Sequence, residues 1–359
     1  MTTLFDKLEL GAITLKNRIV MAPMTRSRAN DDDGTQPPYV AEYYAQRASG
    51  GLLITEATNI SPMAKGYVRT PGIYSDVQIE SWRPVARAVH YRGGKIFMQI
   101  FHTGRIALPD FLPGNVQPLA PSPVKSSGQN YTDHAGAKDF VEPREMTGEE
   151  IQQTVGDFAQ AAKNAIAAGF DGVEIHGANG YLIQQFLSTN VNQRHDEYGG
   201  SIENRSRFLL EVVDAVIEAI GRERTGLRLS PGSEVGNIKE SDSEALYQYV
   251  VEELNSRGLA YLHIGTTDES RDWHSTLRPI YKGSYFAGVG FTKESGEELL
   301  AEGGADAIIY GRPFIANPDL PERFRRGAPL NPQDQSTFYS PGEKGYIDYP
   351  SLATVAAAG

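Results

Sequence analysis

Two hydrophobic periods take turns along this chain. Short runs that are apolar on both parities read as buried strands: "RIVMAPMT" (18–25), "GLLITEAT" (51–58), "KIFMQIFHTG" (95–104), "GVEIHGA" (172–178), "GLRLSP" (226–231), "AYLHIG" (260–265), "YFAGVG" (285–290) and "ADAIIYG" (305–311). Between them, apolar residues recur at helical spacing over 37–49, 75–93, 147–169, 201–221, 241–258 and 292–304. Thr292 ahead of an acidic first turn reads as a helix N-cap. Strands apolar on both faces belong to a parallel sheet covered by helices. Eight of them in 359 residues fit an α/β fold closed as a (β/α)8 barrel. An open doubly wound sheet is the alternative. It would carry a G-x-G-x-x-G turn after an early strand, and the chain has none there.

Residues 4–17 read as a hairpin ahead of the first strand. The stretch 105–147, punctuated by Pro109, Pro113, Pro118, Pro121, Pro123 and Pro143, reads as a long insertion after the third strand. The whole of 1–352 is expected to form one domain, with 353–359 a disordered tail.

Strand alternation assigns the inward residues. Val173 and Ile175 suit the helix-facing side, which leaves Glu174 and His176 for the interior. Ile96, Met98 and Ile100 face out, so Phe97, Gln99 and Phe101 face in; Leu227 and Leu229 bracket an inward Arg228. Thr25, Gln99, His176 and Arg228 should therefore meet at the carboxyl ends of the strands, where barrels place their chemistry. An arginine inside a barrel needs an anion or an electron-rich acceptor. Glu174 is one candidate partner and a bound ligand another. The turns "GVGFT" (288–292) and "YGRPF" (310–314) follow the last two strands, where this architecture commonly holds phosphate. Gly288, Gly290 and Gly311 would let backbone N–H groups approach the oxygens, and Arg312 would add charge.

Composition narrows the class. With 34 basic and 45 acidic residues the net charge is −11, which disfavours nucleic acid as a partner. The absence of cysteine removes thiolate metal sites and thiol nucleophiles and fits a reducing cytoplasm. "MTTLFDKLEL" lacks the apolar core of a signal peptide, and no run approaches a membrane span, so a cytoplasmic protein is expected. No spacing of His, Asp and Glu resembles a metal site. His102 reads as a structural hydrogen-bonder, His195 as a surface residue and His274 as part of a variable loop.

Several stretches taken together, "MAPMT" (21–25), "EYYAQRASGGLLITEAT" (42–58), "QIFHTGR" (99–105), "VEIHGANGYLIQQFLS" (173–188), "NQRHDEYGGSIENRSRFLLEVVDAV" (192–216), "YGRPFIANPDL" (310–320) and "GYIDYPSL" (345–352), resemble the old yellow enzyme family of flavin-dependent ene-reductases. Thr25 beside "MAP", in place of a cysteine, resembles the classical branch. The resemblance implies noncovalent FMN, reduced by NADPH or NADH, in a TIM barrel acting as a monomer or homodimer. It implies that Pro23, Met24, Thr25 and Ala57 lie along the flavin ring, that Gln99 and Arg228 meet its pyrimidine edge, and that Gly288, Gly290, Gly311 and Arg312 hold the phosphate. His176 and Asn179 would donate hydrogen bonds to the carbonyl oxygen of an α,β-unsaturated substrate. Tyr181 would protonate the α-carbon after hydride addition from flavin N5, and Tyr67, Phe101 and Tyr339 would line the substrate pocket. The expected partners are small enones and related electron-poor alkenes. The rival readings are an FMN-dependent nitrate-ester or nitroaromatic reductase, an oxidative demethylase, and a flavin-free lyase or isomerase on the same barrel.

Overall fold

The computed structural model describes residues 1–354, so most of the expected tail, 355–359, lies outside the described residues. Eight parallel strands close on themselves: β1 (Ile19–Met21), β2 (Leu52–Ile54), β3 (Ile96–Phe101), β4 (Gly172–Gly177), β5 (Thr225–Leu229), β6 (Tyr261–Gly265), β7 (Tyr285–Gly288) and β8 (Ala307–Tyr310). Each pairs with the next, and β8 returns to β1 through Ile308–Ile19 and Tyr310–Met21. The closed barrel is the one the strand count implies. β1 is shorter than the apolar run 18–25 because Pro23 lacks the N–H a ladder needs; "MAPMT" instead runs along the barrel mouth.

Two separate apolar cores follow from the alternation. Ile96, Met98, Ile100, Val173, Ile175, Leu227 and Leu229 pack outward with the helices. Val20, Leu52, Ile54, Phe97, Tyr261 and Phe286 fill the interior. A one-residue slip would exchange the two sets. Since each aliphatic side chain contributes about 1.5–3 kcal/mol on full burial, the register is strongly specified. The expected hairpin, Leu8–Leu10 paired with Ile13–Leu15, adds Leu10 and Leu15 to the interior core and closes that end of the barrel. The interior is therefore apolar at its closed end, and its polar residues face the opposite mouth.

The long helices stand where the 3.6-residue pattern places them: Tyr39–Gln46, Asp76–Tyr91, Gly148–Ala167, Ile202–Ile220, Ser243–Asn255 and Lys293–Ala301. Thr147 and Glu150 form a reciprocal capping box, with bonds of 3.2 and 2.9 Å, and Thr292 caps the last of these helices. The pattern did not indicate four short helices, Leu182–Leu187, Trp273–Leu277, Arg312–Ala316 and Leu320–Arg326. The insertion is structured: a β-hairpin, Gln129–Thr132 with Gly136–Asp139, and a two-residue parallel pair at Leu119–Ala120 and Arg144–Glu145.

Candidate active site

A cavity of about 1600 Å³ opens at the carboxyl ends of the strands. Thr25, Gln99, His176 and Arg228 all border it, as the alternation requires. So do Pro23, Met24, Ala57, Tyr67, Asn179, Tyr181, Gly290, Gly311, Arg312 and Tyr339.

One wall is built by the turn that ends β4. The Nδ1 atom of His176 accepts the N–H of Ala178 at 3.2 Å. In a neutral imidazole the remaining proton then sits on Nε2. The ring is neutral because burial pushes its pKa well below the usual value, with the charges of Arg228 and His263 acting in the same direction. Asn179 takes a left-handed backbone, φ 55°, which asparagine tolerates better than most residues. Its N–H donates to Ser230 Oγ at 2.9 Å, and the N–H of Gly180 donates to Gln184 Oε1 at 2.8 Å. Gln185 Nε2 holds the carbonyl of Gly180, also at 2.8 Å. Both glutamines belong to the short helix Leu182–Leu187 and are fully buried. The Tyr181 and Tyr67 hydroxyls share a hydrogen bond at 3.1 Å, and burial raises the pKa of both phenols.

The floor carries charge. Glu174 accepts from Gln99 Nε2 at 2.7 Å and lies 3.0 Å from His263 Nδ1. Arg228 makes no ion pair with it, and Arg228 Nε is buried without a partner among the described residues. The pairing of Arg228 with Glu174 that the sequence left open is thus not formed; the guanidinium is left for a ligand.

A second wall is the pair of turns after β7 and β8. The N–H groups of Gly290, Phe291, Gly311 and Arg312 make no backbone hydrogen bond among the described residues. Gly290 has φ 83°, with open space where a Cβ would stand. Val289 beside it has φ 72°, a region β-branched residues rarely enter, so strain is concentrated at this loop. Arg312 is exposed and lacks a carboxylate partner among the described residues. Free N–H groups and an arginine suit a phosphate, and an unpaired Arg228 with the carbonyl of Gln99 suits a polar ring edge. These residues fit FMN.

Two expected site residues stand elsewhere. Phe101 is 1% exposed and does not border the cavity; it stacks on His176, ring centroids 6.1 Å apart, and meets Tyr181 edge-on at 5.4 Å. It supports the wall instead of lining the pocket. Gly288 also lies off the cavity, and a Cβ there would come within 2.8 Å of His263 Nε2. Its smallness serves the imidazole.

Other residues escaped sequence reasoning. His263 borders the cavity, as do Asn130, Tyr131 and Asp133 of the insertion hairpin. The hairpin is tied down by Asn130 Nδ2 to the Gly66 carbonyl at 2.6 Å and by an ion pair of Asp133 with Arg69. Arg69 also donates to the Tyr339 carbonyl, which joins the C-terminal segment to the same rim. Only the proline-rich length of 105–147 hinted at such a roof. His102 is buried and accepts the Gly104 N–H, His195 is exposed, and His274 bonds the Tyr285 hydroxyl away from the cavity. Among the described residues no cluster of three His, Cys, Asp or Glu side chains could hold a metal.

Residues 3–331 match the model of the NADH:flavin oxidoreductase / NADH oxidase family. The chain is 45% identical to 12-oxophytodienoate reductase 1 of Oryza sativa subsp. japonica, over 97% of this chain and 92% of that protein. It is 46% identical to a probable flavin mononucleotide-dependent alkene reductase of Leishmania infantum, over 96% of each. Among solved structures, morphinone reductase superposes with a TM-score of 0.94 at 46% identity, covering 99% of this chain and 97% of that one. The old yellow enzyme homologue from Zymomonas mobilis gives 0.94 at 43% identity, covering 98% of this chain and 100% of that one.

Proposed function

Because the chain belongs to the NADH:flavin oxidoreductase / NADH oxidase family, that of the old yellow enzyme, we propose specific roles for its residues in the reduction of electron-poor alkenes. When bound, FMN would supply the hydride chemistry between NADPH or NADH as donor and the β-carbon of an α,β-unsaturated carbonyl compound as acceptor. Family membership sets the flavin-free lyase or isomerase aside.

His176 Nε2–H and the Asn179 side-chain amide donate to the substrate carbonyl oxygen and stabilise the enolate-like charge that grows there. Neutral donors suit this task, since neither changes charge near neutral pH. Tyr181 delivers a proton to the α-carbon. Burial keeps its phenol protonated, and the Tyr67 hydroxyl 3.1 Å away orients it. Arg228 would offer a fixed positive charge to the flavin's pyrimidine edge, while Gly290, Gly311 and Arg312 would hold the phosphate. Pro23, Met24, Thr25, Ala57 and Gln99, all on the cavity, would border the ring, and Tyr67 and Tyr339 the substrate.

The observation that carries this reading is the occupied Nδ1 of His176, which leaves Nε2–H as a donor on the turn that also bears Asn179 and Tyr181. Enone-dependent oxidation of NADPH or NADH, compared between the native protein and Tyr181→Phe, tests it. Nitro compounds and nitrate esters are alternative acceptors, because the same donors can hold a nitro oxygen. The proposal includes a cytoplasmic monomer or homodimer that binds neither nucleic acid nor membrane. It is supported by the net charge of −11, and no helix among the described residues is long and apolar enough to cross a membrane.

A further inference from the structure

Glu174 lies on β4 two residues before His176 and points into the barrel on the same face, with no solvent exposure. A buried carboxylate is costly unless it is compensated. No lysine or arginine pairs with Glu174 among the described residues; the one ionisable side chain bonded to it is His263, whose pKa burial lowers. Two donors hold its oxygens: the amide nitrogen of Gln99 at 2.7 Å and Nδ1 of His263 at 3.0 Å. The absence of a side chain at Gly288 lets the imidazole adopt this pose, since a Cβ there would press on its Nε2.

The consequence falls on Gln99, which borders the cavity. A primary amide whose nitrogen is held by a carboxylate cannot readily turn over, because its carbonyl oxygen would then face an acceptor. The nitrogen is fixed toward Glu174, and the carbonyl oxygen remains as the acceptor available to a ligand. We propose that Glu174 is a positioning residue for the cofactor: through Gln99 it presents an amide oxygen, not an amide nitrogen, and so selects a ring edge that offers an imide N–H. This rests on the assignment of Gln99 to the flavin edge.

The test is binding of FMN and of N3-methyl FMN to apoprotein, followed by quenching of flavin fluorescence. Native apoprotein should prefer FMN by about tenfold or more, the worth of one well-made hydrogen bond. In Glu174→Gln the new amide can accept or donate, Gln99 can turn over, and the preference should shrink toward one. A purely structural role would lower the apoprotein's melting temperature and leave the preference unchanged; that outcome overturns the inference. If Glu174→Gln does not fold, Gln99→Ala decides the matter, since a preference retained without the Gln99 amide equally overturns it. Native protein that binds FMN and N3-methyl FMN alike refutes this inference and spares the flavin reading; native protein that binds neither refutes both.

Discussion

The hydroxyls of Tyr67 and Tyr181 lie 3.1 Å apart across the cavity, joining the segment after β2 to the turn after β4. Burial raises the pKa of both phenols, so neither ionises near neutral pH and Tyr181 keeps a proton to give. Tyr181→Phe should slow alkene reduction by about 10²–10⁴-fold, the usual worth of a positioned acid, while reduction of the flavin by NADPH or NADH stays nearly intact. Stopped-flow measurement of each half-reaction checks this. Loss of both halves together would point to a structural role for the ring.

A phenol whose ionised oxygen takes the place of the enolate-like substrate oxygen is a suitable probe ligand: His176→Ala or Asn179→Ala should weaken its binding by about 1–3 kcal/mol, through loss of one hydrogen bond to a charged oxygen. Since burial depresses the His176 pKa, binding should show no titration step from this ring at the ordinary histidine value. Titration of the phenol-induced absorbance change against pH reads both. Unchanged affinity in the two variants would refute the assignment.

Glu240 offers a stability test on a group that reaches the active-site turn only through Gln184. Its carboxyl accepts from Gln184 Nε2 at 3.0 Å and from the Tyr247 hydroxyl at 2.8 Å, and burial pushes its pKa up to about 7. The folded state therefore holds this proton more tightly than the unfolded chain. Between the unfolded value near 4.5 and the folded one, stability should fall as pH rises, by about 3 kcal/mol in all. Glu240→Gln should flatten that slope in urea unfolding curves taken from pH 5 to 8; an unchanged slope assigns it to other groups.

Arg28 fastens the C-terminal segment. Its guanidinium donates to the carbonyls of Arg26, Thr337, Gly342 and Lys344 at 2.6–3.0 Å. Removing it strands these acceptors, so Arg28→Ala should cost about 3 kcal/mol or more. Because Ser336, Phe338 and Tyr339 of that segment border the cavity, enone KM should rise as well. Urea denaturation and steady-state kinetics read the two effects. A loss below about 1 kcal/mol would mean that water replaces the arginine.

Much of this site could be read from the chain because strand alternation is local. Parity alone put Gln99, Glu174, His176 and Arg228 inside, and the barrel closed around them as the strand count required. What stayed hidden depends on contacts distant in sequence. Phe101 has the inward parity, yet His176 and Tyr181 screen it from the cavity. Gly288 looked like part of a phosphate turn until His263, a strand away, occupied the space beside it. The helix Leu182–Leu187 is one and a half turns long, too short for periodicity to show, and its glutamines act on a turn before them. Nothing local in "QNYTDHAGAKD" told that this hairpin roofs the mouth.

The most direct test of the whole account is an anaerobic absorbance spectrum of the protein with FMN, recorded before and after NADPH and again after 2-cyclohexenone. The account requires the visible flavin band to bleach with the nicotinamide and to return with the enone. A band that bleaches and never returns with any enone, while native Tyr181 and His176 are in place, would contradict it.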